Sequence, residues 1–250
     1  MEYALKSHVG HVRQVNEDYA YVSDLNGRVL AVLADGMGGH KAGEIASRLA
    51  VERIVKELRH LDQNLEDIDV REQLMQAVLL ANREVYEYAQ EHPECNGMGT
   101  TVVAALLGPT SVVTAHIGDS RLYHYRDGDL KVKTEDHSLV NELVKSGQIT
   151  EEEASVHQYR NVIMRSLGTE PDVLIDIGQF EWTKDDVVLI CSDGLSDKVQ
   201  HSVMEEWLER KVPLQAQVDG LVEEALAAGG EDNITLLAVR NIPDASQNEG

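Results

Sequence analysis

Two hundred and fifty residues in 27.7 kDa suffice for one domain, or for two small ones. With 42% hydrophobic and 26% charged residues, 19 Gly and 5 Pro, the chain is a folded globule, which excludes collagen-like, low-complexity and disordered classes. Forty-four acids against 22 bases give a formal charge of -22. Nucleic acid and anionic membrane surfaces repel such a chain, so neither is expected as a partner.

Residues 1–6 contain no apolar signal-peptide core. Residues 19–22 and 29–33 read as strands around a tight Asn26-Gly27 turn. Helices are predicted over 43–61, where Ile45, Leu49, Ile54 and Leu58 recur near helical spacing, and over 70–90, where Leu74, Ala77, Val78, Ala81 and Val85 share a face. Strands follow at 101–107, 112–117, 122–125 and 130–132, the last pair across Asp127-Gly128. Shorter helices at 139–147 and 151–156 precede strands at 173–180 and 187–191. Helices at 203–210 and 215–228 and a strand at 234–239 complete the pattern, and residues 244–250 read as a disordered tail. Strands grouped with strands, and helices arriving in pairs, indicate α+β with antiparallel sheets. Cys95 and Cys191 are too few for a disulfide framework or a Cys-rich zinc site, and Cys191 reads as a buried thiol. No apolar run approaches the ~20 residues that span a bilayer, so a cytoplasmic, reduced setting is expected.

Four apolar strands end at, or begin from, an acid. Residues 29–34 run into Asp35-Gly36, 112–118 into Asp119, and 187–192 into Asp193-Gly194, while Asp232-Asn233 opens the last strand. Asp-Gly alone is a weak signal, since Asp127-Gly128 and Asp219-Gly220 occur in polar settings that suit turns or loops. Four acids at the ends of core strands are different. If the strands share sheets, the carboxylates converge and repel, and burying them costs desolvation energy. Hard cations with oxygen ligands, Mg2+ or Mn2+, would cancel the repulsion. Ten His are present without a His-Glu-x-x-His motif, and there is no Cys-x-x-Cys, so zinc is disfavoured. Two hard ions about 3.5–4 Å apart generate a hydroxide nucleophile and clamp a phosphoryl group, which makes phosphate-ester hydrolysis the leading chemistry.

Other motifs fail. Gly36-Met37-Gly38-Gly39-His40 lies between a strand and a helix, but the third glycine of a dinucleotide loop would fall at Lys41. Neither a phosphate-binding P-loop nor a Gly-x-Ser-x-Gly nucleophile elbow is present.

Eight motifs stand in order along about residues 5–240. The first are Gly10-His11-Val12-Arg13-Gln14-Val15-Asn16-Glu17-Asp18, Ala34-Asp35-Gly36-Met37-Gly38-Gly39-His40, Met98-Gly99-Thr100-Thr101 and Ile117-Gly118-Asp119-Ser120-Arg121-Leu122-Tyr123. Then come Glu135-Asp136-His137-Ser138, Asn161-Val162-Ile163 with Arg165-Ser166-Leu167-Gly168, Cys191-Ser192-Asp193-Gly194-Leu195 and Gly229-Gly230-Glu231-Asp232-Asn233-Ile234-Thr235. The set resembles the bacterial metal-dependent Ser/Thr protein phosphatases of the type 2C (PPM) family.

The resemblance implies a four-layer α-β-β-α sandwich of two antiparallel sheets flanked by helix pairs. It implies one catalytic domain over residues 1–243, with a flap at about 136–167. Asp35 would bridge two core Mn2+ or Mg2+ ions, the Gly36 carbonyl would bind the first, and Asp193 and Asp232 would hold the second. Glu17 and Asp18 would act through metal-bound waters or from behind the ligands. Asp119 with Asp193 would match a third, weaker ion, and Arg13 would grip the substrate phosphate. A metal-bridging hydroxide would then hydrolyse phosphoserine or phosphothreonine. Many eukaryotic members carry a His, a proposed general acid, where this chain has Met37; here the proton donor is either His40 or a metal-bound water. Expected partners are phosphorylated proteins, a cognate bacterial Ser/Thr kinase among them, acted on by a monomer. Readings of another kind are a binding module that has lost catalysis, and a phosphodiesterase or small-molecule phosphatase.

From the residues alone, Arg13 has an alternative as a surface partner of Glu17, and Asp119 as a turn partner of Arg121. Thr100, Thr101 and Ser120 read as satisfying buried polar groups, Asn233 and Thr235 as orienting Asp232 and its strand, and Ser138 as a helix cap.

Overall fold

The computed structural model describes residues 1–25, 27–38, 42–62 and 66–242. In chain order the elements are β1 (Glu2–His8), β2 (Asp18–Leu25), β3 (Arg28–Met37), α1 (Ala42–Leu58), α2 (Asp67–Glu91), β4 (Gly99–Thr100), β5 (Val102–Leu107), β6 (Ser111–Ile117), β7 (Arg121–Arg126) and β8 (Asp129–Val132). They continue with α3 (Leu139–Lys145), α4 (Glu151–Ser155), β9 (Asp176–Glu181), β10 (Val187–Cys191), α5 (Asp193–Ser196), α6 (His201–Glu209), α7 (Leu214–Ala227) and β11 (Ile234–Arg240). One sheet has the order β1-β11-β10-β7-β8 and the other β2-β3-β5-β6-β9, with β4 pairing β3. The pairings are antiparallel.

Side chains alternate across a strand, and here the alternation sorts the core into three apolar layers. In β3, Leu30, Val32 and Ala34 pack against α1 and α2, together with Val102, Ala104 and Leu106 of β5. The other parity, Val29, Ala31 and Leu33, meets Leu122, Val188, Ile190, Leu237 and Val239 of the facing sheet. That sheet turns Leu189, Cys191, Leu236 and Ala238 to α6 and α7. The result is the expected α-β-β-α sandwich. Strands apolar on both faces must be covered on both faces, and helix pairs do this. Each fully buried Val, Leu or Ile side chain contributes roughly 1.5–3 kcal/mol through burial, so the layers hold the strand ends in place.

Most predicted elements fall within one to three residues of the observed ones. Asp127 (φ 53°) and Gly128 (φ 84°) are both left-handed, as a two-residue hairpin turn with the right twist requires. The Asn26 turn and residues 244–250 lie outside the described residues. β1 gives no sequence signal: only Ala4 of its seven residues is buried, and the strand exists because it pairs the edge of β11. Asp219-Gly220 is not a loop. It lies inside α7, where a Cβ on Gly220 would come 2.1 Å from the Trp207 ring, so the glycine makes room for the indole. Asp193 does not sit in a turn either; it opens the single-turn helix α5.

Residues 136–167 carry α3 and α4, neither of which buries a side chain. Their caps hold them locally. Ser138 accepts the Asn141 N–H at 3.3 Å, and Thr150 and Glu153 form a reciprocal capping box. Cys95 and Cys191 are free and buried. Among the described residues, no helix is long and apolar enough to cross a membrane.

Candidate metal centre

The acids meet at one end of the two sheets, and strand parity brings them there. Asp35 continues the series Val29, Ala31, Leu33 and therefore belongs to the face between the sheets. The β2–β3 register pairs Asp18 directly with Asp35. From the other sheet, Ser192 follows Ile190 in parity and donates its hydroxyl to Asp18 Oδ2 at 2.8 Å in a buried contact. Thr235 donates its N–H to Ser192 Oγ at 3.0 Å and shares a 2.8 Å hydroxyl contact with Ser7. Asp193 is the next residue after Ser192, and Asp232 lies two residues before β11.

Asp35 is fixed through its backbone. Its N–H donates to Thr101 Oγ1 at 3.0 Å, and its carbonyl accepts from the Thr101 N–H and the Thr100 hydroxyl, each at 2.8 Å. Thr101 Oγ1 also contacts Ser120 Oγ at 2.8 Å, which ties Asp35 to the turn that carries Asp119. Asn233 does similar work across the mouth of the sandwich. Its amide N–H groups donate to the Val9 and Val15 carbonyls, its oxygen accepts the Glu17 N–H at 2.8 Å, and its own N–H donates to Asp232 Oδ1 at 2.8 Å. One residue, through its side chain and its backbone N–H, thus places the Arg13 loop, Glu17 and Asp232 together.

Gly36 is required by close approach. A Cβ there would lie 2.0 Å from the Gly43 carbonyl, and one on Gly43 would lie 2.4 Å from Glu17 Oε1. Two glycines let the start of α1 abut β3 and Glu17. The Gly36 N–H donates to the Glu17 carbonyl at 3.0 Å.

The crowded carboxylates cannot all ionise cheaply. Burial pushes Asp18 up to about 7 despite hydrogen bonds from Thr235 and Ser192, with Asp193 and Asp232 adding to the rise. Burial, then Asp18 and Asp193, holds Asp35 well above the ordinary carboxylate range. Asp119 rises to about 7 through burial and the neighbouring Asp193 and Asp136. Asp193 rises to about 6 through burial, Asp197 and Asp232, moderated by a hydrogen bond from Asp35. Glu17 is raised by burial and partly relieved by Arg13.

The structure thus brings together Asp18, Asp35, Asp119, Asp193 and Asp232, with Glu17 and Gly36 alongside. Arg13 reaches the same place but pairs with Asp232, Nη2 to Oδ2 at 2.8 Å, and not with Glu17. Asp119 is not the partner of Arg121, which makes a bidentate contact with Asp136 at 2.6–3.1 Å. His40 lies outside the described residues.

Residues 6–228 match the protein phosphatase 2C family. The chain belongs to that family. The serine/threonine phosphatase Stp of Listeria monocytogenes is 38% identical over 231 residues, 92% of each chain. The protein phosphatase PhpP of Streptococcus pneumoniae is 37% identical over 242 residues, 96% of this chain and 97% of that one. The crystal structure of the Mycobacterium tuberculosis serine/threonine phosphatase PstP/Ppp matches with TM-score 0.88 and 38% identity, covering 97% of this chain and 99% of that one. A catalytic domain of PstP solved with two manganese ions matches with TM-score 0.84 and 38% identity over 97% and 98% of the two chains. The chain is a bacterial-type protein serine/threonine phosphatase, and its family is metal-dependent.

The residues of this phosphatase fit hard cations. Among the described residues, Asp18 Oδ1 and Glu17 Oε1 are buried oxygens with no hydrogen-bond partner, and both border the cluster. Buried carboxylate oxygens left without a donor are the groups that a cation or its water satisfies. A second cluster, His116, His137 and Asp176, has ligand atoms within 4.8 Å of one another and was not anticipated from the sequence. Three of its four ring nitrogens and its carboxylate already have partners. His116 Nε2 accepts the Glu135 N–H at 3.1 Å, His137 Nδ1 accepts the Gly118 N–H at 3.0 Å, and Arg165 neutralises Asp176 from 2.6 Å. It is a hydrogen-bonded network, and its only sequence trace is the Asp136-His137-Ser138 run.

Linkage gives a test. Groups whose folded pKa is raised destabilise the metal-free fold as pH climbs from about 4, where the unfolded carboxylates ionise, to about 7, and the full cost is present above that. Asp193→Asn removes one such charge. It is expected to raise the metal-free melting temperature at pH 8 by a few degrees, at about 2–4 °C per kcal/mol, and to leave it unchanged near pH 4. It is also expected to forfeit most of the stabilisation that Mn2+ gives the parent protein. Differential scanning calorimetry with and without Mn2+ checks both signs; a lower metal-free melting temperature at pH 8, or an undiminished gain with Mn2+, would contradict the assignment.

Proposed function

We propose that Asp35, the Gly36 carbonyl, Asp193 and Asp232 hold two Mn2+ or Mg2+ ions, that Asp119 with Asp193 holds a third more weakly, and that Glu17 and Asp18 support the site from behind. The observation that carries this reading is the convergence of Asp18, Asp35, Asp119 and Asp193, with ionisation suppressed by burial and by one another, in a protein phosphatase 2C chain. Bound there, such ions supply a nucleophile at neutral pH and neutralise phosphoryl charge. Phosphoserine or phosphothreonine is then hydrolysed in one in-line displacement, without a phosphoenzyme.

The chain's own groups set the rest. Arg13 spends one of its five N–H donors on Asp232, which holds the guanidinium at the rim of the cluster, and it grips phosphoryl oxygens with the others. The Thr101 and Asn233 bonds fix Asp35 and Asp232 before substrate arrives, so no reorganisation is needed during the reaction. The proton for the leaving alkoxide comes from His40 or from solvent at the site. Residues 1–243 act as one catalytic domain with residues 136–167 as its flap, and the natural substrates are proteins phosphorylated by a Ser/Thr kinase of the same cell. The names of the similar phosphatases support this substrate class.

Three outcomes are expected. Chelation abolishes phosphopeptide hydrolysis and excess Mn2+ restores it; full activity in protein shown to be metal-free would refute the reading. Asp193→Asn removes nearly all activity while Asp127→Asn, at the distant hairpin turn, changes little. Arg13→Ala lowers kcat/KM by about 10- to 150-fold, the worth of a charge-assisted contact of roughly 1.5–3 kcal/mol, and does so equally for a phosphothreonine peptide and p-nitrophenyl phosphate. His40→Ala separates the two proton sources. A general acid gives roughly 10²–10⁴-fold and matters most for a poor leaving group, so a far larger loss on the peptide identifies His40 as the acid, and equal losses reject it.

A further inference from the structure

Residues 136–167 leave the sheets after β8, pass the Asp119 turn and rejoin the sheets at Leu167, which exchanges two backbone hydrogen bonds with Thr100. His137 stands where the outgoing and returning segments meet that turn, and it is 4% exposed. Its backbone N–H donates to the Gly118 carbonyl at 2.9 Å, and its carbonyl accepts the Met164 N–H at 2.7 Å. Its Nδ1 accepts the Gly118 N–H at 3.0 Å in a buried contact. With Nδ1 an acceptor, the ring proton sits on Nε2, which faces Asp176 Oδ2 at 3.3 Å. Arg165, on the returning segment, holds the other Asp176 oxygen at 2.6 Å. The ring stacks on His116 with centroids 5.0 Å apart and planes 15° apart.

Gly118 is pinned from its other side as well. It has φ +108°, and a Cβ on it would lie 2.6 Å from Thr101 Cβ. Thr101 in turn bonds Ser120. The residues on either side of Asp119 are therefore held by Thr101, which also fixes Asp35, and by His137, which also fixes the flap. A residue two bonds removed from a ligand governs where that ligand points, and outer partners of this kind typically alter metal affinity by about 10- to 100-fold when removed.

We propose that His137 is a positioning residue that locks the Asp119 turn to the flap, so that the Asp119 carboxylate keeps its place only while the flap is seated. The inference rests on Asp119 as a ligand of the weaker ion. The two arms of the ring can be separated chemically, because an Asn amide oxygen reproduces the Nδ1 acceptor and a Gln amide nitrogen reproduces the Nε2 donor.

The test is Mn2+ titration of the metal-stripped protein by calorimetry, with amide hydrogen exchange on the same samples. His137→Ala is expected to weaken the weaker class of Mn2+ sites by about 10- to 100-fold, to leave the tight class unchanged, and to speed exchange at Gly118 and through the flap. His137→Asn restores the weak class and the Gly118 protection, and His137→Gln does not. The proposal is overturned if folded His137→Ala binds Mn2+ as the parent does with Gly118 equally protected, or if His137→Gln restores as well as His137→Asn. Should His137→Ala fail to fold, the Asn and Gln pair decides alone. Asp119→Asn separates the underlying assumption: if it leaves the weak class intact, Asp119 is not its ligand, and Gly118 protection in the Asn and Gln variants still decides whether the lock exists.

Discussion

Like charges converging where water is scarce are the constraint on which the rest of this structure depends. Asp18 and Asp35 sit side by side because antiparallel register pairs them, and Asp193, Asp232 and Asp119 arrive from neighbouring strand ends. Without cations the arrangement opposes folding, and several of the acids retain protons near neutrality. The apolar layers and the hydroxyl and amide contacts of Thr101, Ser192 and Asn233 hold the acids together against that repulsion. A site preformed in this way is costly to the empty fold and favourable to whatever brings positive charge to it.

The sandwich suits this task because it separates stability from chemistry. The core between the sheets is apolar along its length and ends at the acids, so the same alternation that buries Leu33 delivers Asp35 one step further along the same face. Residues 136–167, the proposed flap, are built on the opposite plan. Their helices bury no side chains and depend on local caps, while their two ends are riveted to Thr100 and Gly118, the neighbours of Asp35 and Asp119. A segment with little core of its own, fastened to the site at both ends, is placed to connect what lies on it with the groups beneath it.

Much of this was legible in the sequence. The strands that carry the acids are continuous apolar runs that stop at an acid or open from one, and the ordered motifs point to the family and its layers. Other features were not legible, for definite reasons. β1 is an edge strand with one buried residue, so its existence depends on β11 and not on its own pattern. Gly220 looked like a turn because an aromatic ring from another helix, absent from the local sequence, is what demands it. The local sequence offers Arg13, beside the phosphate role, only its neighbour Glu17 as an ion-pair partner, but it pairs with Asp232, 219 residues away, because Asn233 folds the Arg13 loop onto that strand end. The partnership of His137 with Gly118 and Asp176 likewise joins three segments that no spacing rule connects.

If the strand-end carboxylates form the cation site, they collect added Mn2+. Anomalous diffraction at the manganese edge, from crystals of this protein equilibrated with Mn2+, tests this directly. Two strong peaks among Asp35, Asp193 and Asp232 and a weaker one beside Asp119 are expected. An empty strand-end cluster, with manganese instead at His116, His137 and Asp176, would contradict the assignment.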